Sequence, residues 1–117
     1  MSPVTVSNTD GVAVIAIANP PVNALAIPVL QGLEKAVKEA QKNPSVRAIV
    51  LTGSGGKFSG GFDIGQLRRS TQGKPSNDVS DFNAILCQFV EGGAKPTVAA
   101  IENLALGGGL EVAMSCN

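Results

Sequence analysis

An α/β fold with parallel strands is predicted by three features of this chain. Two short apolar runs, Ala48-Ile49-Val50-Leu51-Thr52 and Thr97-Val98-Ala99-Ala100-Ile101, each lead into a glycine-rich turn and then a helix-like segment. Runs of this length without polar alternation read as strands buried on both faces, the habit of parallel sheets. Helical periodicity recurs between them, so strands and helices alternate as βαβ units with right-handed crossovers.

Each element has its own signal. Val4-Thr5-Val6 and the run from Gly11 to Ile17 read as two strands around an Asp10-Gly11 turn, and Pro20-Pro21 ends the second. Pro28 suits the first turn of a helix reaching about Lys42. Val29, Leu30, Leu33, Val37 and Ala40 form its apolar stripe, with Lys35, Lys38 and Glu39 facing water. Asn43-Pro44 stops that helix, and a strand from Val46 to Thr52 follows. Ile64 to Arg69 reads as a short helix-like segment, and Thr71 to Ser76 as a polar loop. A helix from about Asp78 to Glu91 presents Val79, Phe82, Ile85, Leu86 and Phe89, and Gly92-Gly93 closes it. Cys87 falls within that stripe and is expected as a small core residue, as is Cys116. Pro96 opens the last strand, and Leu110 to Cys116 reads as a helix.

Composition removes several classes of function. Nine basic and nine acidic residues leave no net charge, and the scattered Lys and Arg, without Trp or Tyr, give no nucleic-acid footprint. No apolar run approaches the length of a membrane span, and Met1-Ser2-Pro3 lacks the basic and hydrophobic regions of a secretion signal. Histidine is absent, which excludes Ser-His-Asp, Cys-His and His-ligated metal chemistry within the chain. Proton transfer here falls to carboxylates, Lys, Cys or backbone groups. A hydrophobic content of 44% in 117 residues is enough for part of a core and for one domain at most.

The chemistry concentrates at the two glycine turns. Gly107-Gly108-Gly109 joins a strand to a helix start, where unpaired N–H groups welcome negative charge. Glu111 follows Gly108 by three residues, so a helix brings its carboxylate to the side of that N–H. An anion-stabilising N–H beside a carboxylate is what proton transfer next to a carbonyl requires. The second turn runs from Gly53 through Gly60-Gly61-Phe62-Asp63-Ile64. Two such turns at the ends of neighbouring parallel strands have the geometry of an oxyanion hole. Taken singly, each feature has a plainer reading: a tight left-handed turn for the glycines, a dipole-favoured first-turn residue for Glu111, and an N-cap for Asp63. A dinucleotide fingerprint does not fit, because Val112 stands where it needs glycine, and the Gly-Lys-Ser/Thr of a P-loop is missing.

Phe58-Ser59-Gly60-Gly61-Phe62-Asp63-Ile64 and Leu106-Gly107-Gly108-Gly109-Leu110-Glu111 together resemble the paired signatures of the crotonase (enoyl-CoA hydratase/isomerase) superfamily. Asn19-Pro20-Pro21-Val22-Asn23-Ala24-Leu25 is similar to its early Asn-Pro…Asn-Ala-Leu element, and the Pro-Pro-Val-Asn form is most similar to the plant-type peroxisomal multifunctional branch. The resemblance implies a crotonase-like ββα spiral fold, of which residues 1–117 form the N-terminal half. It implies N–H groups of Phe62 and Gly108 on the thioester oxygen of an acyl-CoA. Gly60, Gly61, Asp63, Ile64 and Gly107 become substrate-binding positions, and Glu111 one of two glutamates that activate water and shuttle protons. The second glutamate belongs to the next strand-and-turn unit, which the chain does not reach. Many members carry Ala where Phe62 stands, a change the backbone donor tolerates. The implied activity is hydration of a trans-2-enoyl-CoA in fatty-acid β-oxidation, with the CoA thioester as substrate and no cofactor or metal. Isomerisation of a 3-enoyl-CoA and a non-catalytic acyl-CoA-binding remnant are the alternatives. The same resemblance implies a peroxisomal location, and either a homo-oligomer or a dehydrogenase domain following in the parent protein.

Overall fold

The computed structural model describes residues 3–61 and 84–117. A hairpin opens it: β1 (Val4–Thr9) pairs antiparallel with β2 (Val12–Ile17), in register from Val4 opposite Ile17 to Thr9 opposite Val12. Asp10 (φ 51°) and Gly11 (φ 85°) both take the left-handed backbone that lets a two-residue turn match strand twist. The chain then crosses through α1 (Ile27–Lys42) to β3 (Ala48–Gly53), which lies parallel to β2. Strand β4 (Thr97–Ala99) pairs parallel with β3, giving the sheet order β1-β2-β3-β4.

Helix α1 follows its apolar period. Val29, Leu30, Leu33, Ala36, Val37 and Ala40 are buried and join Ala13, Ile15, Ile17, Ile49 and Leu51 of the sheet in one core. Each fully buried aliphatic side chain of this size contributes about 1.5–3 kcal/mol. The C-terminal carbonyls of α1 are taken up from outside the helix, because Lys95 Nζ donates to the carbonyls of Ala40 and Asn43. A cation at that end also meets the negative pole of the helix.

Burial on both faces, expected for β3 and β4, is not what the sheet shows. Ile49 and Leu51 are buried and Val50 only half so, while Val98 on β4 is 54% exposed. The helices pack on the Ile49 and Leu51 face, and none of the described residues seals the other. Leu106, Leu110 and Met114 are also exposed, Met114 to 74%.

A second difference lies before β4. The expected helix from Asp78 to Glu91 is described only from residue 84, and its last turn, Leu86–Glu91, is π-helical. The N–H of Gly92 donates to the carbonyl of Cys87 across five residues (2.9 Å). Leu86 and Val90 face inward and Cys87 faces out. Cys87 is therefore exposed rather than a core residue. Cys116 is half-buried, and burial pushes its thiol above the ordinary range, partly offset by a hydrogen bond with Thr97. Thiolate is the reactive form. At neutral pH iodoacetamide is expected to label Cys87 well before Cys116, read by peptide mass spectrometry; equal rates would contradict the burial of Cys116.

Helix α2 spans Gly108–Ser115, starting two residues earlier than Leu110, so Gly108 and Gly109 belong to its first turn. Among the described residues, no helix is long and apolar enough to cross a membrane.

Candidate active site

The two glycine turns meet. After β3 and β4 separate, the chains pair again at a parallel bridge between Ser59 and Ala105. Ser59 N–H donates to the carbonyl of Leu104 (3.2 Å), and Leu106 N–H donates to the carbonyl of Ser59 (3.0 Å). A Cβ built on Gly61, whose φ is +99°, would stand 2.9 Å from the Leu106 carbonyl oxygen and 3.5 Å from the Gly108 nitrogen. A Cβ on Gly109 would meet Ser59 Cβ at 2.7 Å and Ser59 O at 2.8 Å. Glycine at 61 and 109 is what lets the backbones approach this closely.

A buried asparagine holds the first turn in place. Asn23 is 3% exposed with φ 52°, and its Oδ1 accepts the Asn19 N–H (2.9 Å). Its Nδ2 donates to the carbonyls of Ser54 (3.0 Å) and Lys57 (2.9 Å). Its own carbonyl accepts the Ser59 hydroxyl (2.8 Å), and Ser59 Oγ in turn accepts the Gly61 N–H (3.1 Å). Leu25 N–H donates to Gly61 O, and Gly60 N–H to Val22 O. The N–H groups of Gly60 and Gly61 are thus engaged within the chain.

Asn23→Ala removes the side-chain donor to the Ser54 and Lys57 carbonyls and the acceptor of the Asn19 N–H, and puts alanine at a left-handed position. A loss of about 2–4 kcal/mol in urea unfolding is expected from those two effects. A change within 0.5 kcal/mol, the range of an ordinary surface substitution, would show that the clamp carries no stability.

Gly108 is different. It is a buried residue at the first position of α2, and its N–H donates to no described residue. Buried backbone donors without a partner are rare, and one at a helix N-terminus suits an anionic oxygen. Gly107, with φ 51° and ψ −121°, caps the helix and accepts the Glu111 N–H on its carbonyl (3.1 Å). Glu111 lies in the first turn with an exposed side chain. It borders an open cavity of about 330 Å³ together with Leu86, Cys87, Glu91, Met114 and Ser115. The structure therefore brings Gly60, Gly61, Gly107, Gly108 and Glu111 to one end of the sheet. Phe62, Asp63 and Ile64 lie outside the described residues.

Sequence reasoning missed three positions. Asn23 was visible only as part of a motif, although a polar residue between Val22 and Ala24-Leu25 is a signal for a buried clamp. Ser59 carried no signal of its own. Glu91 enters the cavity through the π-helical turn, which no local pattern announces.

Comparison with known proteins decides the family. The enoyl-CoA hydratase/isomerase family model matches residues 7–117. The chain belongs to that family. A peroxisomal fatty acid β-oxidation multifunctional protein of Oryza sativa subsp. japonica is 50% identical over 111 residues, covering 92% of this chain and 15% of its own length. A probable enoyl-CoA hydratase of Bacillus subtilis is 35% identical over 117 residues, covering all of this chain and 45% of its own. Among solved structures, an enoyl-CoA hydratase/isomerase from Xanthobacter autotrophicus Py2 superposes with a TM-score of 0.85 at 26% identity, covering 99% of this chain and 44% of that one. The chain thus spans about 15% of the multifunctional relative and under half of the Bacillus subtilis and Xanthobacter autotrophicus Py2 proteins. Its α/β sheet and glycine turns are those of a crotonase-fold segment.

Proposed function

We propose that this chain supplies the thioester-binding and water-activating part of a site that hydrates a trans-2-enoyl-CoA to the 3-hydroxyacyl-CoA. The observation that carries the reading is the N–H of buried Gly108, which donates to no described residue, in the same first helical turn as Glu111. A thioester oxygen at Gly108, with the N–H of Phe62 as second donor, gains negative charge as water adds at C3. Each such donor contributes about 3 kcal/mol to holding the enolate. Glu111 accepts a proton from the attacking water, the water oxygen bonds to C3 as the C2–C3 π pair moves toward the thioester, and Glu111 returns the proton to C2, so one water adds across the double bond. Gly60, Gly61, Asp63, Ile64 and Gly107 are the neighbouring positions for the CoA thioester, and no cofactor enters the reaction. The names of the plant relatives support a peroxisomal setting in fatty-acid β-oxidation. A homo-oligomer, or a longer parent with a dehydrogenase domain, belongs to the same reading.

A second reading is acyl-CoA binding without turnover, and the open, exposed position of Glu111 favours it. Crotonyl-CoA separates the two. Loss of the enoyl-thioester absorbance reports hydration, and calorimetry reports binding. Turnover supports the hydratase, binding alone supports the second reading, and neither would sink both.

A further inference from the structure

Ser59 is fully buried, and every atom it can offer is used between the two glycine turns. Its hydroxyl donates to Asn23 O and accepts Gly61 N–H. Its carbonyl accepts Leu106 N–H, two residues before Gly108, and its Cβ and carbonyl oxygen are what a side chain at Gly109 would strike. One residue therefore touches the first turn through its side chain and the second through its backbone. The hydroxyl is the adjustable part, because the Ser59–Leu106 and Ser59–Leu104 bonds need no side chain.

We propose that Ser59, seated by Asn23, is a positioning residue for the thioester site: its hydroxyl fixes the Gly61 turn against Gly108 and so sets the spacing of the donors around the thioester oxygen. The inference rests on the reading of Gly108 as the thioester-oxygen site. Without the hydroxyl, Gly61 N–H and Asn23 O lose their shared partner, and the Gly61 turn is left with the Leu25 N–H to Gly61 O and Gly60 N–H to Val22 O bonds, neither of which ties it to the second turn. Gly108 keeps its helix but loses the neighbour that defines its distance to the first turn. Misplacement of about an ångström suffices to spoil catalytic alignment while leaving a ligand bound.

The test compares wild type, Ser59→Ala and Ser59→Cys, the last keeping the size of the side chain with a weaker hydrogen-bonding group. Crotonyl-CoA isotope-labelled at the thioester carbonyl is bound to each, and the carbonyl stretch is read by infrared difference spectroscopy. In wild type the bound carbonyl shifts to lower frequency than free. Ser59→Ala is expected to lose at least half of that shift and Ser59→Cys less, with calorimetric affinity nearly unchanged. A full shift in a folded Ser59→Ala chain overturns the proposal, as does a loss of affinity that alone accounts for the change. A second measurement needs no ligand: amide NMR signals of Gly61 and Gly108 should both move in Ser59→Ala, and movement of Gly61 alone overturns the coupling. Absence of any carbonyl shift in wild type would sink the thioester reading instead, leaving the amide experiment to decide whether Ser59 links the turns. If Ser59→Ala does not fold, the cysteine variant carries both measurements.

Discussion

In a protein that carries the whole family domain, Glu111→Gln is expected to lower crotonyl-CoA hydration by about 100- to 10,000-fold while calorimetric affinity for crotonyl-CoA stays within a small factor. The amide matches the carboxylate in shape, so it preserves the surface that the thioester meets. It removes the negative charge and the basicity with which the carboxylate accepts the proton from water. Glu111 is exposed and forms no salt bridge among the described residues, so the fold has no stake in its charge beyond the weak dipole effect at a helix start. Its backbone bond to Gly107 O survives the substitution. A variant that hydrates at a near-normal rate would remove Glu111 from the chemistry.

Gly108→Pro tests the opposite side of the reaction. Proline is well placed at the first position of a helix, where its fixed φ matches and its missing N–H costs no helical bond. The bonds that shape the turn, Gly109 N–H to Leu106 O and Glu111 N–H to Gly107 O, do not use the Gly108 nitrogen. The substitution thus deletes one donor without removing either of those bonds. Loss of a single oxyanion donor lowers turnover by about 100-fold or more. Gly108→Ala keeps the N–H and separates the donor from the absence of a side chain. Full activity in a folded proline variant would mean that the thioester oxygen binds elsewhere.

The parts of this molecule governed by local rules were legible in the sequence. Asp10-Gly11 announced the hairpin, because few residue pairs occupy two left-handed positions in succession. The spacing of Val29, Leu30, Leu33, Val37 and Ala40 announced the buried face of α1. The triple glycine after β4 announced the helix start that holds Gly108 and Glu111 in its first turn. The parts that depend on distant residues were not legible. Half-exposure of β4 follows from which face the helices choose, and an apolar run such as Thr97 to Ile101 is silent on that. Cys87 stands next to buried Leu86, and the apolar pattern alone does not mark on which side of Leu86 the buried face ends. Ser59 gains its place only once Asn23, Gly61 and Leu106 surround it.

The bonds that Asn23 makes reach across 31 and 34 residues, and the Ser59–Asn23 bond across 36. Contacts so far apart in the chain reward folding only after long loops have closed, so they form late. The hairpin and α1 have local signals of their own and can precede them. A partly folded chain that holds both still offers a thioester no donors at all. The site is therefore a reporter on the completed sheet: hydrogen exchange at Gly61 and Leu106 should follow the global opening of the molecule, while the Asp10-Gly11 end of the hairpin exchanges through local fraying.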